Sequence, residues 1–458
     1  MRLWNLTTFS PTAAICKRFA SSSTSGGFYD VVVVGGGMVG NAMAASIGAS
    51  DKLKPCRVLL LDAGKQKSLG SPSEIYSNRV SAVNPSSVKL FKHLGIWDRL
   101  EKYRVKKVAK LQVLDSCSQS TIDFEQPRTD QEVAFIIEND AIISALYDNI
   151  LNCSNIDVRT EVMVDSCTLP PNISEEATIK LKDGSEIATN LVIGADGARS
   201  FVREVMDVDY SQWNYDQKAI VATLKIQGDE NNETAWQRFT PLGPLALLPL
   251  TKDISSLVWT TSPSDCDRLL ALSPEDFVDE LNNYLWTDEN QNPVTNQALF
   301  LMDKVCSLIG SSSTSSSVYP MPPTVLSLQS DTRAAFPLGF GLAHHYVKPR
   351  AALIGDAAHR IHPLAGQGVN LGWNDVTILI NVMEKMADHG ADFGSTTYLS
   401  EYDTYSQRHN VPVMVTVDWL NRLYNTSFAP LVFLRSLGLH GVNRMTPLKD
   451  LIMYKASG

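Results

Sequence analysis

Residues 31 to 50, "VVVVGGGMVGNAMAASIGAS", carry no charge and five glycines. About twenty apolar residues suffice to cross a bilayer, but the glycine spacing points elsewhere. A β-branched run, Val31 to Val34, leads into Gly35-x-Gly37-x-x-Gly40, and small residues (Ala42, Ala44, Ala45) follow at helical spacing. This order predicts strand, tight turn, helix. Gly35 permits the turn, Gly37 lets the backbone approach a pyrophosphate, Gly40 lets helix and strand pack closely, and the helix N-terminus offers N–H groups to the anion. The stretch is read as a nucleotide cradle, not a membrane anchor. Twenty-two residues past Gly40, "RVLLLDAG" predicts a second buried strand ending in Asp62. Its carboxylate is placed to accept both hydroxyls of a ribose, with a turn cap as the competing role.

The chain of 458 residues has a net charge of −9. Its first 29 residues hold Arg2, Lys17 and Arg18 and no acid, leaving 37 basic residues against 49 acidic ones, or −12, for the rest. A body that acidic is a poor match for a phosphate backbone, so nucleic acid is set aside. The basic, Ser/Thr-rich, acid-free N-terminus has the composition of a mitochondrial transit peptide, assigned to 1–28. Seven scattered cysteines form no C-x-x-C and are read as reduced thiols.

Two later stretches repeat the pattern of an apolar run ending in a glycine turn. "TNLVIGADGARSFVR" carries Asp196, Gly197, Ser200 and Arg203, and "RAALIGDAAHRIHPLAGQGVNLGWND" lies near residue 350. The nucleotide domain is therefore discontinuous, with other material threaded between its strands. Asp356 should end a buried strand in the crevice where such sheets bind ligands, placed to hold a ribityl hydroxyl. "HPLAGQGVN" then gives a permissive loop running into a helix, whose N–H groups would face the pyrimidine edge of a flavin.

In this order, GxGxxG, DGxxSxxR and GDAAHxxHPxxGQGxN resemble the class A flavin-dependent aromatic hydroxylases. "NRVSAVNPSSVKLFKHLGIWDRL", "AFIIEND", "AWQRFTPLGPLALLPL" and "FPLGFGLAHHY" are similar to the ubiquinone-biosynthesis branch of that family, and the basic presequence to its eukaryotic mitochondrial members. The resemblance implies an α/β, p-hydroxybenzoate-hydroxylase-like fold with a Rossmann-like FAD-binding domain, an inserted antiparallel β-sheet substrate domain and a C-terminal helical segment. It implies FAD as cofactor and hydroxylation at C5 of a polyprenylated phenol, with O₂ activated as a flavin C4a-hydroperoxide. Electrons would come from a ferredoxin with its reductase or from NAD(P)H. Cofactor-binding residues expected on these motifs are Gly35, Gly37, Gly40, Asp62, Arg79, Asp196, Gly355, Asp356, Pro363, Gly366, Gln367, Gly368, Val369 and Asn370. Arg79 resembles the family arginine that lies over the cofactor, a surface arginine being the competing reading. The cofactor carries the hard step, and no catalytic side chain is named.

Arg203 is expected to anchor its turn. The histidines 344, 345, 359 and 362 lack metal-like spacing with other ligands, so no metal is assigned. Alternating runs between about 205 and 335 predict an antiparallel sheet flooring the substrate pocket, with Arg238, Phe239, Leu248 and Pro249 as pocket candidates on a hairpin. The expected domains are 29–204 and 336–395 for FAD, 205–335 mainly for substrate, and 396–458 helical. "GSSSTSSS", 310–317, reads as a surface loop. Leu423 to Leu434 is an uncharged stretch too short to span a bilayer, read as a buried or interfacial helix. A polyprenyl tail exceeds an ordinary pocket of about 300–1,000 Å³. The expectation is therefore a peripheral protein on the matrix side of the inner membrane, held by other ubiquinone-biosynthesis proteins. Two rivals share parts of the pattern. An escort-type scaffold would need neither Asp356 nor "GQGVN"; a flavin oxidase or halogenase shares the fold, but no "WxWxIP" is present.

Overall fold

The computed structural model describes residues 26–445 and 449, apart from 119, 126–131, 229–230, 288–290, 292, 294 and 298–320. The expected transit peptide, as far as residue 25, and the expected surface loop at 310–317 lie outside the described residues.

Apolar runs with no polar face are stable only as strands covered on both sides. Strand β1 (Phe28–Val34) and β2 (Val58–Leu61) are of this kind, as are β6 (Glu186–Gly194) and β12 (Ala351–Leu353). With β5 (Ile156–Arg159) they form a parallel sheet in the order β12–β6–β1–β2–β5. Helix α1 (Met38–Ala49) follows β1 directly and packs against α2 (Asn139–Ile150). Because the strands are parallel, the turns after β1, β6 and β12 emerge at one edge of the sheet, with neighbours on either side of β1. Ligands bind at such a switch point.

A second, larger sheet runs in the order β13–β11–β7–β10–β9–β8–β3–β4. The strands on this path are β3 (Lys110–Asp115), β4 (Thr121–Glu125), β7 (Tyr210–Gln227), β8 (Thr234–Thr240), β9 (Gly243–Pro249), β10 (Ile254–Thr261), β11 (Ala334–Ala343) and β13 (His359–Arg360), and the strand Thr324–Leu328 pairs with β7 beside it. One face buries Leu247, Leu257 and Trp259 against helices α4 (Pro263–Ala271) and α5 (Pro274–Trp286). The opposite face looks into a large cavity.

This topology corrects the expected boundaries. Residues 110–125, assigned to the FAD domain, extend the substrate sheet, because β3 pairs in parallel with β8. Residues 334–343 belong to it as well, through β11 pairing with β7 across the 335/336 boundary. The larger sheet is thus mixed, not purely antiparallel. The C-terminal stretch also differs from expectation, since Leu423 to Leu434 is not one helix. Helix α7 (Thr396–Tyr424) ends, and α8 (Ala429–Arg444) starts after a short connection. The break is held by Arg435, whose Nη1 donates to the carbonyls of Leu423, Tyr424 and Thr426 at 3.0, 3.2 and 2.9 Å. The first two are carbonyls that a helix end leaves without intrahelical partners, and the third belongs to the connection.

Candidate active site

The three glycines of the first motif do three different jobs. Gly35 has φ +110° and is packed against Ala195, so only glycine fits there. A Cβ on Gly40 would lie 1.8 Å from the Gly35 carbonyl oxygen, which makes it the contact between helix and strand. A Cβ on Gly37 would meet nothing within 4 Å. Gly37 is the N-cap of α1, with no capping side chain and no acidic residue in the first turn, and it lines the cavity. The partial positive charge of the helix N-terminus is therefore left open to an anion.

The second motif is a brace. Asp196 accepts from Ser200 Oγ at 2.5 Å and from the Val202 N–H at 3.1 Å, capping helix α3 (Phe201–Met206). Both of its oxygens are occupied, and it does not line the cavity. Arg203 donates to the carbonyls of Ala357 and Ala198, each at 2.8 Å, and so ties this turn to the one after β12, the anchoring role expected from its sequence position.

Asp356 sits in that turn, at the carboxyl end of β12. Its carboxylate opens onto the cavity and makes no hydrogen bond among the described residues. Enclosure by protein raises its pKa, opposed by the nearby His359 and Arg360. His359 is spoken for: its Nε2 lies 2.6 Å from Asp375 Oδ2 in a pair with no solvent exposure. Burial pulls this imidazole's pKa down, but the Asp375 carboxylate more than offsets that and leaves it above the ordinary value. Asp375 also accepts from the Gly355 N–H and from Asn410, so the pair fixes the turn that carries Asp356. His362, fully buried, is pulled down to about 4 by desolvation, against the raising influence of Asp418. Among the described residues no group of three His, Cys, Asp or Glu side chains could hold a metal ion.

The third motif reaches the same cavity. Pro363, Gly366, Gln367, Gly368, Val369 and Asn370 all line it, where helix α6 (Gly368–His389) begins. Gly366 has φ +62° and is packed on Ala82. Asn370 is saturated: Oδ1 accepts from the Asn84 N–H and Ser87 Oγ, and Nδ2 donates to the carbonyls of Ala82 and Gly366. It holds the loop in shape and has no bond to spare for a ligand. Arg79 is exposed and lines the cavity. Asp62 ends β2 as expected but accepts from Gln66 Nε2 and the Gly64 N–H and does not line the cavity.

Only half of the pocket candidates face the cavity. Alternate residues of a strand point to opposite faces, so neighbours cannot share one. Phe239 and Leu248 line the cavity. Arg238 points the other way, donating to the Thr287 carbonyl at 2.7 Å and to that of Leu285, and Pro249 does not reach the cavity either. The rest of the wall had no motif to announce it: Val113 and Ile122 from β3 and β4, and Val417 and Leu439 from α7 and α8.

A dinucleotide cradle on a doubly wound sheet, opening onto a cavity floored by a second sheet, defines the class, an FAD-binding flavoprotein. A family model described as "FAD binding domain" matches residues 28–304 and 322–416. The chain is 50% identical over 442 residues to the mitochondrial ubiquinone biosynthesis monooxygenase COQ6 of Caenorhabditis elegans, covering 96% of this chain and 97% of the relative. It is 42% identical over 450 residues to the protein of that name from Homo sapiens, covering 96% and 95%. It belongs to the ubiquinone biosynthesis monooxygenase family, and its cofactor is FAD. The fold is shared with p-nitrophenol 4-monooxygenase PnpA from Pseudomonas putida DLL-E4, with a TM-score of 0.68, 16% identity and coverage of 94% and 99%. It is also shared with a variant of Klebsiella pneumoniae HpxO complexed with FAD, with a TM-score of 0.65, 17% identity and coverage of 94% and 99%.

Proposed function

We propose that this chain hydroxylates C5 of the aromatic ring of a polyprenylated ubiquinone precursor, using FAD and O₂. The observation that carries the reading is continuity. One cavity of about 2040 Å³ joins Gly37 and Asp356 to the apolar sheet face of Phe239 and Leu248 and runs on to Leu434. That is about twice the upper end of ordinary ligand pockets, as suits a cavity that has to hold FAD and a substrate ring together.

The open N-terminus of α1 at Gly37 suits the pyrophosphate, and the unpartnered Asp356 suits a ribityl hydroxyl. The 366–370 loop and the start of α6 suit the pyrimidine edge, while Arg79 stands at the margin; Asp62 can take up a ribose hydroxyl only by releasing Gln66 or the Gly64 N–H. Reduced FAD supplies the oxygen-activating chemistry. The protein's own part is to orient the ring with Phe239 and Leu248, exclude water with the apolar wall and neutralise charge with the helix dipoles of α1 and α6. Each turnover consumes one O₂, two electrons and two protons, placing one oxygen atom on the ring and releasing the other as water. Asp356→Ala leaves ligand donors unpaired, and FAD affinity falls by about 1–3 kcal/mol, measured by fluorescence titration of the apoprotein.

The electron donor in this reading is a ferredoxin with its reductase, and the setting is the matrix side of the inner mitochondrial membrane. Among the described residues no helix is long and apolar enough to cross a membrane, which supports peripheral attachment. The exposed Trp419, Phe428 and Leu434 of the last two helices and their connection suit contacts with other ubiquinone-biosynthesis proteins. Stopped-flow mixing tests the donor: flavin absorbance should bleach rapidly with reduced ferredoxin and slowly with NADPH. Rapid bleaching by NADPH alone replaces the ferredoxin with direct nicotinamide reduction, and absence of oxygen-18 from the ring product overturns the hydroxylase reading.

A further inference from the structure

The cavity floor is mostly apolar, with a few polar positions. Gln237 on β8 is 6% exposed, lines the cavity and has no hydrogen-bond partner among the described residues. Ser256 on β10 is 0% exposed, lines the cavity, and its Oγ has no partner. Thr223, opposite Ser256 in the ladder, has an equally unpartnered Oγ1. Buried polar groups are nearly always hydrogen-bonded, and leaving one unpaired costs about 1–3 kcal/mol. Two such hydroxyls on one sheet face, beside a glutamine that lines the same cavity, point to a ligand that brings partners with it.

The register fixes their spacing. Gln237 is opposite Ala246 on β9, and Ser256 is opposite Leu248 on the same strand. They flank β9 from its two sides, one alternate position apart. With strands about 5 Å apart, the two backbones are separated by about 10 Å, a gap that an aromatic ring with a polar group at each edge fills. The small side chain of Ala246 leaves room between them.

We propose that Gln237 and Ser256 orient the substrate ring by hydrogen-bonding two oxygen substituents at its opposite edges; this rests on the reading of the floor as the ring site. The Gln237 carbonyl accepts from a phenolic hydroxyl, and Ser256 Oγ donates to the second oxygen. Both groups are neutral, so they select phenol and ether oxygens without demanding charge. A site built to bond an oxygen discriminates against the analogue that lacks it far more strongly than an apolar wall does.

The test uses full-length FAD-loaded protein and two probes of one shape, 2-prenyl-4-methoxyphenol and 2-prenyl-4-ethyltoluene, titrated against the flavin spectrum. Wild type should prefer the oxygenated probe by at least about tenfold. Ser256→Ala and Gln237→Leu should each weaken that probe by about five- to tenfold, leaving the hydrocarbon unaffected. The melting temperature of Ser256→Ala should stay level or rise, since it removes a buried hydroxyl that the free protein leaves unpaired, and that of Gln237→Leu should stay level, since its amide makes no hydrogen bond among the described residues. A structural role would instead lower the melting temperature and leave the preference intact, and that result overturns the proposal. So does equal binding of the two probes by wild type, which leaves the ring site standing. Failure of both probes to bind FAD-loaded protein overturns the ring-site reading together with this one.

Discussion

Gly37→Val yields a folded apoprotein that does not retain FAD, whereas Gly40→Ala lowers stability whether or not cofactor is present. The two positions lie three residues apart on one motif, yet their surroundings are opposite. At Gly37 the backbone is extended, with φ −74° and ψ −171°, a conformation any residue adopts, and an added Cβ meets nothing within 4 Å. Losing glycine at an N-cap costs about 1 kcal/mol or less. The valine methyls project into the space beside the open helix N-terminus, where the pyrophosphate belongs. Overpacking of about 3 kcal/mol there lowers FAD affinity by more than about a hundredfold. At Gly40 the added Cβ would lie 1.8 Å from the Gly35 carbonyl oxygen and 3.2 Å from the Ala195 Cβ. The helix must back away from the strand, at about 1–3 kcal/mol of stability. Flavin content after reconstitution and thermal unfolding of the apoprotein separate the two effects. Normal flavin retention by the valine variant would sink the cradle assignment.

Those glycines also show why the nucleotide half of the molecule was legible. A turn, a close approach and a packing contact each demand glycine for a steric reason, and the three reasons recur at fixed spacing. The same holds for the turn after β12, where Asp356 ends a wholly buried strand. Residues of the substrate half obey no such local rule. Arg238 and Phe239 are adjacent in sequence, and only the pairing of β8 with its neighbours decides which of them faces the cavity. The strand pair 110–125 joins the far end of the sheet through a parallel contact with β8, and nothing in its own composition announces so distant a partner. Asp196 illustrates the opposite error. Its motif was visible, but whether a carboxylate after a strand holds a ligand or caps the next helix depends on where Ser200 and Val202 present their donors.

Arg435→Met should be the most destabilising single change in the C-terminal helices, and the reason was likewise hidden in the fold. In sequence Arg435 merely ends an uncharged stretch. In the structure it forms an ion pair with Asp115 of β3 in which both side chains have no solvent exposure. Its Nε and Nη2 reach the two carboxylate oxygens at 3.0 Å each, while Nη1 holds the carbonyls at the end of α7. Methionine preserves much of the volume but strands the Asp115 carboxylate in the interior, where among the described residues only the Cys117 N–H and Ser118 Oγ still bond to it. Breaking one side of a buried pair costs about 3–5 kcal/mol, whereas replacing both partners with apolar residues is often neutral. The double variant Asp115→Leu/Arg435→Met should therefore recover most of the loss. Because α8 supplies Leu434 and Leu439 to the cavity wall, the single variant should also open that end of the cavity. Hydrogen exchange across 429–444 should accelerate while the α1 and β1 segments keep their protection, and FAD affinity should stay level. If the double variant is no more stable than the single one, the penalty lies in lost helix-end hydrogen bonds and not in the stranded carboxylate.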